Sequence, residues 1–117
     1  MFKLIIMARR KPGTSMAEFR DYYEERHSML VRKITPMMSR YRRNYLTPLD
    51  SALAAGDASS YDCVTEAWFD SEADFQRSIQ SLVADTEKTT ALSNDEENLF
   101  DRSTIRIFTA VEIESVS

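Results

Sequence analysis

The sequence predicts an α+β fold, with four strands and two helices in the order β-α-β-β-α-β. Three observations lead there. Four segments alternate residues toward two faces with period two. Two other segments carry apolar residues at spacings of three, four and seven. Punctuation at Pro12-Gly13, Pro36, Pro48 and Gly56 separates the segments, and the chain has neither repeats nor low-complexity tracts.

Residues 2–10 read as the first strand. Phe2, Leu4, Ile6 and Ala8 point one way, and Lys3, Ile5, Met7 and Arg9 the other. Lys11-Pro12-Gly13 is a turn. Thr14 or Ser15 then caps a helix, and Ser15-Met16-Ala17-Glu18 fits the capping box. Its covered stripe is Phe19, Tyr23, Leu30 and Ile34, flanked by Met16 and Val31, and Pro36 ends it. Residues 37–46 form the second strand, with Tyr41, Arg43 and Tyr45 opposite Arg40, Arg42 and Asn44. Residues 49–60 are small and polar, a loop with room for one helical turn. Residues 61–70 form the third strand, where Tyr61, Cys63, Thr65, Ala67 and Phe69 alternate with Asp62, Val64, Glu66 and Trp68. Ser71-Glu72-Ala73-Asp74 opens the second helix, with carboxylates where the helix dipole favours them. It turns Phe75, Ile79, Leu82 and Val83 inward and continues past a kink to Leu92. Residues 93–97 read as a polar loop, and residues 103–114 as the last strand.

This order fits a ferredoxin-like arrangement, with both helices on one face of a four-stranded antiparallel sheet. The first, third and fourth strands carry large apolar groups on both faces. The chain has no further element to cover the second face. A second copy, sheet against sheet in a two-fold homodimer, is the expected cover.

The length of 117 residues fits one domain, expected over 1–117. Fifteen basic and nineteen acidic residues give a net charge of −4. Such a chain has no general attraction for phosphate backbones or anionic lipid, so neither nucleic acid nor membrane is an expected partner. The longest apolar run, Leu4 to Ala8, is far short of a membrane span. Met1-Phe2-Lys3 leads straight into a strand, and a single cysteine excludes an internal disulfide; a cytoplasmic protein is the expectation. With one Cys, one His and no helix pairing His with carboxylate at ligand spacing, zinc-type motifs are absent and no bound zinc, iron or copper is expected, while composition alone leaves open haem through the one His or a metal held mostly by carboxylates.

His27 is the first candidate for chemistry. It follows Tyr23 by four and precedes Leu30 by three, so it projects from the covered face of the first helix. An imidazole takes and returns protons near neutral pH. The competing reading is a core histidine making one structural hydrogen bond. Tyr23, Tyr41 and Tyr45 are candidates to hydrogen-bond a substrate oxygen, or else ordinary packing tyrosines. Glu66, two residues before Trp68, is a candidate to orient the imidazole from the covered side, or else an ion-pair partner of a second-strand arginine. Asp95 and Asp101 flank Phe100 in a segment read as a loop over a pocket. Arg40 is a candidate to bind a substrate carboxylate. Its neighbours Arg42, Arg43, Tyr41 and Tyr45 invite an RNA-binding reading, which lacks the Gly-aromatic signature on the third strand. Cys63 reads as an inert core filler.

Lys3 to Gly13 (KLIIMARRKPG) and Met16 to His27 (MAEFRDYYEERH) resemble the opening of EthD-domain proteins. The likeness continues through Arg40-Tyr41, Asn44, Tyr61-Asp62, Glu66 to Ser71, Phe75 and the acidic segment around Asp95, Glu96, Phe100 and Asp101. It covers nearly the whole chain. The resemblance implies a dimeric α+β barrel and a small cofactor-free enzyme or accessory protein handling cyclic or aromatic metabolites. It strengthens His27 as the general acid/base. One departure is Tyr45 after Asn44, where many members have a His nearby; a two-histidine mechanism is not available. The resulting expectation is dehydration, cyclisation, isomerisation or decarboxylation of a polyketide-like or aromatic-degradation compound. His27, Tyr23, Glu66 and Asp95 would carry the chemistry, and Arg40, Tyr41, Tyr45, Trp68 and Phe100 would bind substrate. Two rival readings stay open: a binding protein without turnover, and a haem- or oxygen-handling monooxygenase of the same fold with His27 as axial ligand.

Overall fold

The structure is a computed structural model that describes residues 1–49 and 61–116. Strands β1 (Phe2–Arg10), β2 (Met38–Tyr45), β3 (Cys63–Phe69) and β4 (Phe100–Ala110) form one antiparallel sheet in the order β2-β3-β1-β4. Between β1 and β2 run α1 (Met16–Tyr22), a π-helical turn (Tyr23–His27) and α2 (Ser28–Ile34), without interruption. Between β3 and β4 lie α3 (Glu72–Val83) and α4 (Thr86–Leu99). This is the ferredoxin-like arrangement.

Local sequence explains each boundary. Thr14 N–H donates to the Lys11 carbonyl at 3.2 Å, closing a four-residue turn with Pro12 at its second position. Gly13, at the third, has φ of +86°, which a type II turn requires and glycine supplies without strain. Ser15 caps α1 with both bonds of the capping box, to and from Glu18. Ser71 caps α3 by accepting from the Asp74 amide. Asp85 does the same for α4 at Lys88.

The pleat divides the sheet into two faces. Leu4, Ile6 and Ala8 face the helices with Cys63, Thr65, Ala67 and Phe69 beside them. The aromatic rings of Phe19, Tyr23, Tyr45 and Phe100 meet edge-on in this core. Burying each such ring contributes about 1.5–3 kcal/mol. On the outer face, Ile5, Met7, Val64 and Phe108 sit among charged residues, and Phe108 is 51% exposed. Trp68 also lies on this face, yet it is only 3% exposed. Lys3 covers its ring at 4.7 Å, and Arg40 and Arg42 at 5.4 Å each.

Several expected boundaries are corrected. The second helix does not stop at Leu92: it breaks at Ala84-Asp85 and resumes as α4 to Leu99, so residues 93–97 are helix, not loop. Their inward positions carry carboxylates, which hides the apolar periodicity. Val83 is 70% exposed rather than inward, because α3 ends there. The last strand begins at Phe100 and ends at Ala110. No feature of the sequence marks the π-helical turn. Of the loop expected at 49–60, residues 50–60 lie outside the described residues.

Candidate active site

His27 closes the π-helical turn, in which the Ser28 amide donates to the carbonyl of Tyr23, five residues back. The widened turn exposes a carbonyl, and the Ser28 hydroxyl bonds Glu24 O at 2.9 Å. Tyr23 and His27 are both buried beneath this turn, with ring centroids 5.2 Å apart and edge-on. Phe100, the first residue of β4, packs edge-on against the imidazole at 5.5 Å and against Tyr23 at 5.6 Å. The three rings form one edge-on cluster, and His27 is only 4% exposed. Wide turns of this kind recur at functional sites because they re-aim side chains.

Asp95 reaches the imidazole from α4. Its Oδ2 lies 2.7 Å from His27 Nδ1, and its Oδ1 accepts from the Tyr22 hydroxyl at 2.6 Å. Asn98 in turn donates to the Tyr22 oxygen at 3.3 Å. An ionised carboxylate only accepts, so Nδ1 carries the proton and Nε2 keeps its lone pair. Burial pushes the His27 pKa below its usual value, and the bond to Asp95 opposes that shift only in part. At neutral pH His27 is therefore an uncharged base with a fixed tautomer.

An apolar cavity of about 220 Å³ opens beside it, between the helices and the inner sheet face. Leu4, Ile6, Ala67 and Phe69 floor it, and Val31, Phe75, Ile79 and Leu92 wall it from the helices. Its polar side chains are few: His27, Tyr23, Tyr41, Thr35 and Glu96. Tyr23 shares a 2.6 Å hydrogen bond with Thr65. Burial raises the Tyr41 pKa to about 12, so this hydroxyl remains a donor. Glu96 has no ion-pair partner among the described residues, and burial raises its carboxyl above the usual range. Among the described residues, no three His, Cys, Asp or Glu side chains converge as a metal site would require.

The candidates from sequence divide sharply. His27, Tyr23, Tyr41 and Phe100 line the cavity, and Asp95 touches His27 from behind. Glu66 does not point to the covered side. The strand pleat turns it to the outer face, where Lys3 pairs with it at 2.7 Å and holds its carboxyl below the usual range. Arg40 and Trp68 are on that outer face too. Tyr45 faces inward but is spent on Glu24, which Arg43 also grips through two nitrogens. Asp95 and Phe100 are not in a loop: one is on α4 and the other starts β4. Asp101 accepts from Ser103 beside the cavity's end strand and takes no part. Burial drives the Cys63 thiol up to about 12, which leaves it inert. Tyr22 is not a candidate from sequence, and Glu96 enters there only within the acidic segment of the family resemblance. Glu96 follows Asp95 directly, and only knowing that 93–97 is helical places one on His27 and the other at the cavity.

A family model described as "EthD domain" matches residues 11–103. No curated protein sequence matches the chain significantly. Among solved structures, an EthD family protein from Bacillus halodurans C-125 superposes with a TM-score of 0.66 at 18% identity, covering 97% of this chain and 100% of that one. Hydroxynitrile lyase from Passiflora edulis superposes at 0.60 with 14% identity, covering 99% and 96%. A dimeric ferredoxin-like protein from Thermobifida fusca superposes at 0.53 with 19% identity, covering 95% and 90%. At these identities the likeness is one of fold.

Proposed function

The chain belongs to the EthD family, and on that premise we propose that it is an acid–base enzyme, a lyase or isomerase, for a compact cyclic or aromatic oxygenated compound. The observation that carries this reading is the Asp95–His27 pair, with the free imidazole nitrogen on a residue that lines an apolar cavity. Buried polar networks are costly to assemble, and this one ends on an unpaired base. The cavity lies below the range of about 300–1,000 Å³ typical of drug-sized ligand sites, so a single small ring suits it.

A β-hydroxy ketone illustrates the chemistry. Nε2 removes the proton alpha to the carbonyl, and a tyrosine hydroxyl steadies the developing enolate oxygen. The electron pair forms the carbon–carbon double bond as the beta C–O bond breaks. Glu96 protonates the departing oxygen, giving water and an enone. Solvent exchange then removes the proton from His27 and restores that on Glu96. Isomerisation uses the same proton abstraction with return at another carbon. The small cavity argues against a porphyrin.

We place this site in each half of a homodimer, with the outer sheet face as the interface. Its support is the apolar centre formed by Ile5, Met7, Val64 and Phe108. No helix among the described residues is long and apolar enough to cross a membrane, and the single cysteine suits a cytoplasmic setting.

Deuterium uptake tests the reading without knowing the physiological substrate. Small cyclic β-hydroxy ketones are incubated with protein in D2O and followed by NMR. Alpha-proton exchange or elimination should exceed the buffer rate, and His27→Gln should reduce it by about 100-fold or more. The glutamine side chain keeps hydrogen-bonding reach without a titratable proton, so folding should survive. Exchange unaffected by His27→Gln would remove His27 from the chemistry, and none with wild type across the panel would leave a binding protein without turnover.

A further inference from the structure

A second, polar cavity of about 500 Å³ lies against the first at the edge of β2. The two share Thr35, Met38 and Tyr41 as walls. Their junction depends on a bulge in β2. Met38 pairs with Phe69 while Arg40 pairs with the adjacent Trp68, leaving Ser39 as the extra residue. Without it, Met38 and Arg40 would share a face. With it, Met38 lines the apolar cavity and Arg40 points to the other side of the sheet edge while still bordering the polar one.

The polar cavity is lined by Arg32, Arg40 and Arg43. Arg43 is neutralised by Glu24, which it holds at 2.5 and 3.0 Å. Arg32 and Arg40 have no carboxylate partner among the described residues, and no carboxylate lines this cavity. Arg40 stacks on Trp68 and so carries its charge to the outer sheet face, away from the apolar cavity. One uncompensated positive charge, that of Arg32, therefore stands in a cavity that shares three walls with the apolar chamber, in a chain whose net charge is negative.

We propose that the substrate is a carboxylic acid, with its ring in the apolar cavity and its carboxylate in the polar one beside Arg32. This rests on the catalytic reading of the first cavity and names the class of molecule it takes. A guanidinium matches a carboxylate's two oxygens with parallel donors, which a neutral polar group would not. Placing the charge outside the chamber also keeps it away from Glu96 and Asp95. The carboxylate would fix which ring carbon faces Nε2.

Calorimetric titration with salicylate and with its methyl ester tests this. The ring and hydroxyl are the same, and only the acid carries a charge. Salicylate should bind the wild type about tenfold more tightly than the ester, the worth of one charge-assisted hydrogen bond. Added salt should erode that preference. The variant Arg32→Gln should bind both probes alike, with affinity for the ester unchanged. Equal binding of acid and ester by the wild type, or a preference that survives Arg32→Gln, overturns the carboxylate assignment alone. Binding of neither probe at millimolar concentration overturns it together with the reading of the apolar cavity as a substrate site.

Discussion

His27 Nδ1 and Asp95 Oδ2 are 2.7 Å apart, although 68 positions separate the two residues in the chain. Asp95 is fixed independently by Tyr22, so it orients the ring rather than following it. Asp95→Asn keeps the shape but changes the donor pattern. An amide turned toward Nδ1 can donate, which moves the imidazole proton to Nε2 and removes the lone pair from the cavity. The expected loss is about 10²–10⁴-fold in the His27-dependent deuterium exchange rate. Imidazole ¹⁵N shifts should show one tautomer in wild type and a changed population in the variant. An unchanged tautomer with an unchanged rate would remove Asp95 from the mechanism.

The fold is legible because period-two and helical spacing are written by burial, and burial dominates β1, β3 and α1. The same spacing places His27 on the covered stripe. It cannot place the π-helical turn, which changes the hydrogen-bond ladder without changing which residues are apolar. Helix α4 reads as loop in its C-terminal half because its inward residues include Asp95 and Glu96 between Leu92 and Leu99. A functional site replaces apolar positions with polar ones, so the local pattern fails where the chemistry sits. Glu66 lies opposite to its expected side for a different reason. Strand alternation tells which residues share a face, but not which face the helices cover when both are apolar.

The outer sheet face should be a dimer interface. Phe108 stands at 51% exposure opposite Ile5, in a patch with Met7 and Val64. Light scattering at micromolar concentration should return twice the chain mass of 13.5 kDa. Phe108→Asp places a charge at the centre of that patch and should yield monomer with its far-ultraviolet spectrum intact. A wild-type monomer would end the argument for a dimeric barrel.

Ser78 offers a test of the core that is independent of function. Its hydroxyl is buried in α3 without a hydrogen-bond partner among the described residues. A buried hydroxyl without a partner loses its water bonds and regains nothing. Ser78→Ala removes that cost and improves helix propensity, so stability should rise by about 0.5–1 kcal/mol. A melting temperature higher by a few degrees is the expected reading, at a scale of about 4–8 °C per kcal/mol for a 60–100-residue domain and somewhat less for this longer chain. A fall would mean that the hydroxyl has a partner.

The two titratable groups of the cavity should oppose each other in stability between pH 4.5 and 6.5, the ordinary values of a Glu carboxyl and an imidazole. His27 is depressed in the folded state, chiefly by burial. As pH falls below 6.5 the unfolded chain takes up that proton first, so the His27 contribution is present above 6.5 and is lost on acidification. Glu96 is raised, again chiefly by burial. The folded chain holds its proton longer, so its contribution is present below 4.5 and is lost as pH rises. The slopes have opposite signs and partly cancel in the wild type. His27→Gln removes the first, and stability should then decline more steeply with rising pH across this window. Glu96→Gln removes the second, and stability should instead decline more steeply with falling pH. The catalytic rate needs His27 without its proton and Glu96 with one, so it should be bell-shaped, and Glu96→Gln should abolish the alkaline limb. Denaturant titrations at four pH values on three proteins read the stability slopes directly. If both variants keep the wild-type slope, neither group is buried as described, and the cavity loses its acid and its base together.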